Sequence, residues 1–246
     1  QRKLEDRNPL LPVWVDKISA KQQAAQMLGE RWIIPTRWTG NVLPAGPPAS
    51  FPFILKASHG CNQNVVCHDA ADWRAARRRA AGWTRRAYGL WLDEWAYRDL
   101  PRGYIVEPFL GSGDRLPVDY KIYVFGGHAV LVQVHLDRGR NHRWTLYDRA
   151  WTQVSMPDEA PSPAPANLDS MLAAAETLAR PFDFARIDFY EIDGQPKFGE
   201  VTFYPGSGLD PFDPPELDRH IGALWLAAIA GDRAEPEQGE LQPVAA

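Results

Sequence analysis

The sequence predicts an α+β protein folded as two lobes. Apolar runs rich in β-branched and aromatic residues recur in hairpin pairs, with helical segments set between them. With 246 residues and 45% hydrophobic content, the chain can bury one large core or two smaller ones. No internal repeat is present. A net charge of −4 gives an ordinary globular composition, without the overall basic excess expected of a nucleic-acid binder. No apolar run approaches the roughly 18 residues that span a bilayer, and the opening residues do not read as a signal peptide. The two cysteines, Cys61 and Cys67, are too few for a disulfide framework, so a reducing, cytoplasmic setting is expected. The chain opens at Gln1 rather than Met, which reads as the start of a trimmed or processed chain.

The elements follow from local signals, in chain order. Residues 16–29, DKISAKQQAAQMLG, read as a helix with Asp16 as its cap and Gly29 as its stop. Residues 35–50, rich in Pro and Gly, read as a connecting loop. FPFILKA (51–57), a polar turn over His59 to Asn64, and NVVCH (64–68) then give strand, loop and strand. Asp69 caps a helix expected to run through DWRAARRRAAGWTRRAYG, residues 72–89. YIVEPFL (104–110) is an apolar strand followed by the loop GSGDRLP. DYKIYVF (119–125) and HAVLVQVHL (128–136) form a hairpin about Gly126-Gly127. A Pro-rich loop, MPDEAPSPAPA (156–166), precedes a helix in LDSMLAAAETLA (168–179). A last helix is expected near 215–229, and residues 231–246 read as a disordered tail.

The hairpin ARIDFYEIDGQPKFGEVTFYPGSG (185–208) is the most informative stretch, because each strand carries an acid, Asp188 and Glu200, among apolar neighbours. A two-residue turn at Asp193-Gly194 would place Glu200 on the face opposite Asp188. A three-residue turn, Asp193-Gly194-Gln195, would instead set Glu191 opposite Lys197, Tyr190 opposite Phe198 and Asp188 opposite Glu200. The second register gains a charge pair and an aromatic pair, each on the order of 0.2–1 kcal/mol, and is the one expected. It collects Arg186, Asp188, Glu200 and Thr202 on one face. Two facing carboxylates repel unless a cation lies between them. A divalent ion such as Mg²⁺ meets that need, and so does a solvated face on which Arg186 neutralises one acid.

Other stretches carry chemistry with bland alternatives beside it. Lys56, leaving an apolar strand beside SHGCNQN, suits phosphate, although a Walker A sequence is absent and a strand-end lysine is more often solvated. His59, Cys61, Cys67 and His68 fit no zinc spacing, and small buried thiols with a loop histidine account for them. The arginines of RAARRR, with Arg85 and Arg86, form a basic helix face. Trp73, Ala76, Ala80 and Trp83 give that helix a packed stripe, leaving the arginines as a solvated face or a site for an anionic polymer. QVHLDRGRNHRWTLYD (133–148) concentrates Arg138, Asn141 and Arg143 in a loop able to receive an anion.

Taken in order, RNPLLPVWVDK, FILKASHG, DEWAYRDLPRGYIVEPFL, DYKIYVFGG, FARIDFYEIDG and FGEVTFYPGSG resemble the blocks of the ATP-grasp superfamily. More narrowly they are similar to its teichuronopeptide-biosynthesis, or TupA-like, family, over roughly residues 4–226. The resemblance implies two α+β lobes gripping ATP between antiparallel sheets. Residues 1–50 would be an N-terminal helix and connecting segment, 51–110 the small lobe with its hinge strand, and 111–230 the large lobe. Carried over by position, Lys17, Lys56 and the His59 loop would meet the phosphates. Glu107, Phe109 and Leu110 would form the adenine hinge, and Asp119 and Lys121 would lie near ribose, metal or phosphate. Asp188 and Glu200 would hold Mg²⁺, with Thr202 where the family usually has Asn. Arg186, with Lys56, would stabilise charge on the transferred phosphate.

The implied activity is an ADP-forming carboxylate–amine ligation through an acyl phosphate. An amino acid would be joined to a uronic-acid-containing or other cell-surface polysaccharide, or to a small metabolite. Arg138, Asn141, Arg143 and Ser207 would stand on the acceptor side. Two other readings accompany it: a kinase or phosphotransferase on the same fold, and a non-catalytic module binding anionic glycans.

Overall fold

The computed structural model describes residues 2–231 except 114, 139, 156–159 and 213. The tail expected beyond residue 231, and part of the Pro-rich loop, lie outside the described residues. The chain divides into two compact units, one of Gln1–Gln26 and Ile33–Leu110, the other of Met27–Trp32 and Gly111–Ala246. No helix among the described residues is long and apolar enough to cross a membrane.

The first unit holds three helices, α1 (Arg2–Glu5), α2 (Leu10–Val15) and the start of α3 (Lys17–Leu28). It continues with β1 (Trp38–Gly40), β2 (Phe53–Ala57), β3 (Asn64–Cys67), α4 (Ala70–Ala80) and β4 (Tyr104–Pro108). The strands form an antiparallel sheet in the order β1-β4-β2-β3. Caps start both long helices. Asp16 Oδ1 accepts from the N–H groups of Ile18 and Ser19 at 3.2 and 2.9 Å, and Asp69 Oδ1 from Ala71 and Asp72 at 2.7 and 2.9 Å. Each such cap contributes about 1 kcal/mol. Alternation along β2 sends Phe53 and Leu55 to one face, where they pack with Cys67, Trp73, Ala76, Ala80, Tyr104 and Val106. Lys56 therefore lies on the other face, the one away from α4.

The second unit is built on β5 (Asp119–Phe125), β6 (His128–Leu136), β7 (Arg143–Asp148), β8 (Phe184–Ile192) and β9 (Gln195–Thr202). They form an antiparallel sheet ordered β7-β6-β5-β8-β9. Every residue of the central strand β5 is buried. Helix α5 (Leu168–Ala179) packs against β5, β6 and β8. From α6 (Pro215–Ala230), Leu217, Ile221 and Leu224 close over Tyr123, Phe125, Leu131 and Phe184. This cover reaches only one end of that face; the polar residues lie farther along it. Segment Met27–Trp32 belongs to this unit because Trp32 meets Phe189 edge-on at 5.6 Å and Lys197 Nζ donates to the Arg31 carbonyl at 2.5 Å.

The β8–β9 hairpin corrects the expected turn and keeps its consequence. Asp193 and Gly194 have φ of 52° and 69°, and Ile192 pairs with Gln195, so the connection is a two-residue turn. Two positive-φ positions match the strand twist better than the three-residue alternative does. Glu191 thus faces Pro196 rather than Lys197, and Tyr190 faces Lys197 rather than Phe198. A bulge between Asp188 and Phe189 then shifts the register, leaving Gly199 as the extra residue and setting Asp188 opposite Glu200 after all. Glu191 finds another use: it accepts from the N–H groups of Ala166 and Asn167 at 3.2 and 2.9 Å, just ahead of α5.

Other elements differ from expectation. α4 stops at Ala80, short of Gly82, and the chain goes on as a 3₁₀ turn over Trp83–Arg85. α2, β1 and β7 were not expected. RWTLYD is a strand because it alternates against β6, pairing Arg143 with Leu136 through Asp148 with Leu131.

Candidate active site

On the first unit's sheet, the face away from α4 carries a buried charge triad. Ile54 pairs with Glu107 and Lys56 with Ile105, so Lys56 and Glu107 project from the same face of neighbouring strands. Glu107 is 4% exposed and bridges two ammonium groups. Lys56 Nζ lies 2.7 Å from its Oε2, and Lys21 Nζ, from α3, 2.6 Å from its Oε1. Lys21 also donates to Thr36 Oγ1 at 2.8 Å. Burial alone would raise the Glu107 carboxyl, but Lys56 and Lys21 outweigh it and hold it at about 2. Burial pulls the Lys21 ammonium below its ordinary value, with Glu107 opposing. Sequence reasoning missed Lys21. Its signal is the i, i+4 spacing from Lys17, which puts both on one face of α3.

The loop after β2 is fastened from below. Lys17 Nζ donates to the Gly60 carbonyl at 2.9 Å, and the Lys17 N–H to Ser58 at 2.9 Å. His59 is fully buried: its Nε2–H donates to the Trp83 carbonyl at 3.2 Å, and its Nδ1 accepts from the Gly103 N–H at 3.4 Å. Burial keeps that ring neutral by lowering its pKa. With both ring nitrogens on backbone groups, the His59 side chain anchors the loop and its ring offers no donor to a phosphate, which is where it departs from the expected role. Phe109 N–H donates to the Pro52 carbonyl at 3.3 Å and the Phe109 ring meets His68 edge-on; Leu110 ends the unit half-buried.

On the second unit, one face of β5, β6, β8 and β9 gathers the remaining residues. Register sets Lys121 opposite Asp188, Tyr123 opposite Arg186, Asp119 opposite His135 and Arg186 opposite Thr202. Asp188 is 1% exposed. Arg186 forks onto it, Nε to Oδ1 at 2.8 Å and an Nη to Oδ2 at 2.9 Å, and reaches Thr202 Oγ1 at 3.1 Å. Lys121 Nζ pairs with Asp188 Oδ2 and, at 2.7 Å, with Asp119 Oδ2, which Arg138 also contacts at 2.8 Å. Burial works against the Lys121 ammonium, yet Asp188, with Asp119 and Glu200, raises its pKa. The His135 ring is lowered to about 3, by burial first and then by Lys121, His142, Arg186 and Arg138. It shares a 2.8 Å hydrogen bond with His142.

Three buried atoms here, Asp119 Oδ1, His135 Nε2 and Arg138 Nε, have no partner among the described residues. A buried polar atom left unpaired costs about 1–3 kcal/mol, so an orphaned cluster points to a ligand. Arg138 thus joins the site. Arg143 instead pairs with Asp137 at 3.1 Å, Asn141 is exposed, and Ser207 sits in a 3₁₀ turn over Pro205–Gly208 at φ 57°. His135 was not singled out from sequence, although it follows from register, facing Asp119 across β5 and β6.

The donor set suits a hard cation in part. Asp188 and Glu200 face each other across β8 and β9, and Mg²⁺ commonly takes one or two carboxylates, completing its shell with phosphate oxygens and water. Among the described residues no group of three or more His, Cys, Asp and Glu is placed to hold a metal. The protein would therefore supply part of the shell, as such a nucleotide-bound ion requires.

Comparison with known proteins agrees with this architecture. The family model described as TupA-like ATPgrasp matches residues 1–226. A search of curated proteins found no match. The structure of D-alanine–D-alanine ligase from Bacillus anthracis superposes with a TM-score of 0.54 at 12% identity, covering 89% of this chain and 65% of that one. The same ligase complexed with ATP gives 0.51 at 13%, covering 89% and 64%. The Helicobacter pylori D-alanine–D-alanine ligase gives 0.51 at 15%, covering 87% and 58%. The chain thus spans less than two thirds of the length of these ligases. It has their ATP-grasp fold, and by the match along residues 1–226 it belongs to the TupA-like ATP-grasp family.

Proposed function

We propose that the protein is an ATP-dependent carboxylate–amine ligase. ATP phosphorylates a carboxylate, an amine attacks the acyl phosphate, and an amide forms with release of ADP and phosphate. The observation that carries this reading is the Asp188–Glu200 pair, set across the bulge beside Arg186 and Lys121. On the first unit, Lys56 and Lys17 hold phosphate oxygens, with Lys21 and Glu107 fixing where the Lys56 ammonium points. The strand end at Glu107, Phe109 and Leu110 receives adenine through its backbone.

On the second unit, Asp188 and Glu200, with Thr202 beside them, hold Mg²⁺. Bound there, the ion would supply charge neutralisation to the phosphates. Arg186 and Lys121 place fixed positive charge where the transferred phosphate gathers negative charge, in a region too buried for water to do so. The chain offers positioning and charge, and no covalent nucleophile is needed.

Arg138, with an orphaned buried atom, stands on the acceptor side and meets the polar end of the carboxylate or amine, while Asp119 stays on the nucleotide side, near ribose or metal. Asn141, Arg143 and Ser207 extend that side. Family membership supports a cell-surface polysaccharide bearing uronic acids as the acceptor and a cytoplasmic site of action. The test is ADP release from Mg-ATP with panels of carboxylates and amines. Ligation requires that ADP appear only when both are present. ADP released with a hydroxyl acceptor alone would make the protein a phosphotransferase instead.

A further inference from the structure

The basic face of α4 is left unused by this chemistry, and it borders a cavity of about 570 Å³. Arg74, Arg77 and Arg78 line it, together with Asn41, Leu43 and Thr84 among others, and the lining contains no Asp or Glu. Positions i, i+3 and i+4 stack three guanidinium groups along one helix face, spanning about 6 Å of axis. Arg77 Nε is buried and has no hydrogen-bond partner among the described residues. The cavity size falls within the range of about 300–1,000 Å³ typical of small-ligand sites.

A plain explanation exists for basic residues here: Arg77, Arg78 and Arg79 occupy the last turn of α4 and offset its dipole. That accounts for Arg79, which does not line the cavity. It does not account for the cavity that the arginines line together with residues 41–43 and Thr84.

We propose that this cavity is a second anion site, binding a compact ligand that carries two or more carboxylate or phosphate groups. Planar guanidinium forks match both groups in a bidentate manner, and adjacent forks favour a ligand with more than one. The site is distinct from the nucleotide-binding face of the same unit. α4 packs on the side of Phe53 and Leu55, whereas Lys21, Lys56 and Glu107 meet on the opposite side of the sheet. Three guanidinium groups within about 6 Å suit a small polyanion, whereas a nucleic acid needs an extended basic track, and the net charge of −4 points the same way.

The test is calorimetry on the full chain at low salt, with a saturating non-hydrolysable ATP analogue and Mg²⁺ present. Two probes are titrated separately: inorganic pyrophosphate, for phosphate recognition, and a galacturonic acid disaccharide, for paired carboxylates. At least one binds the wild type. Arg77→Gln/Arg78→Gln weakens it about a hundredfold, taking about tenfold per charge-assisted contact. The exposed Arg78→Glu, which leaves the core untouched, weakens it at least as much as loss of one contact. Binding of the ATP analogue is the same in both variants. The proposal is overturned if neither probe binds, if binding survives both variants, or if mixed-sequence duplex DNA binds more tightly and loses its binding to the same changes.

Discussion

Replacing Glu107 with Gln removes the carboxylate that two buried ammonium groups share. Lys21 and Lys56 have side chains only 9% and 19% exposed, so neither can recover full hydration without moving. Breaking a buried ion pair by removing one partner costs about 3–5 kcal/mol. The depressed carboxyl gives a second figure. The carboxyl lies at about 2 against an ordinary 4.5, and at 1.36 kcal/mol per unit that difference is worth about 3 kcal/mol. The two figures agree. The sign is fixed: a depressed carboxylate stabilises the fold above its unfolded pKa, and the contribution fades as pH falls from about 4.5 towards 2. Urea denaturation of wild type and Glu107→Gln at pH 7, 4.5 and 3 measures it. The gap should be about 3 kcal/mol at pH 7 and narrow below pH 4.5. A gap under about 1 kcal/mol at pH 7, or one that does not change with pH, refutes the reasoning.

Three further outcomes are expected. A Cβ at Gly199 would lie 3.0 Å from the Asp188 carbonyl oxygen and 3.2 Å from the Tyr190 ring. Gly199→Ala should therefore cost about 1–3 kcal/mol by thermal melting and lower Mg-ATP affinity as the bulge shifts; an unchanged melting temperature counts against the bulge as the device that aligns the acids. Because His135 resists protonation until about pH 3 while the unfolded ring accepts a proton near 6.5, stability should fall as pH drops from about 6.5 towards 3. His135→Gln should flatten that slope, as followed by denaturation at several pH values; an equal slope in both proteins contradicts it. Lys121→Met leaves Asp119 and Asp188 without their shared ammonium, and should cost about 3–5 kcal/mol and abolish turnover. Full activity in that variant would remove Lys121 from the site.

Much of the site was legible because strand alternation is short-range. Arg186, Asp188, Glu200 and Thr202 share a face once one pair is registered, and that pair was named from the hairpin alone. The route to it was wrong: the turn is one residue shorter than expected, and the bulge at Gly199 restores the register. A bulge has no reliable sequence signature, since a strand glycine marks one only in context. Contacts across long stretches of chain were not legible. Lys21 and Glu107 are separated by 86 positions, and Lys56 and Glu107 by 51, and nothing local links them. His59 illustrates the opposite error. A histidine in a polar loop invites a ligand role, whereas burial and two backbone contacts make it an anchor. β1 and β7 were missed because each lies inside a stretch of Pro, Gly or charge that masks a short strand.

The most direct measurement compares ATP binding with and without Mg²⁺, and ADP release with carboxylate and amine present, in wild type and Glu200→Gln. Glu200 is the half-buried member of the acid pair, so its amide should leave the melting temperature nearly unchanged. The account predicts that Mg²⁺ tightens ATP binding to wild type, and that the substitution removes both this effect and the release of ADP. Turnover at the wild-type rate, with the same dependence on Mg²⁺, would contradict it.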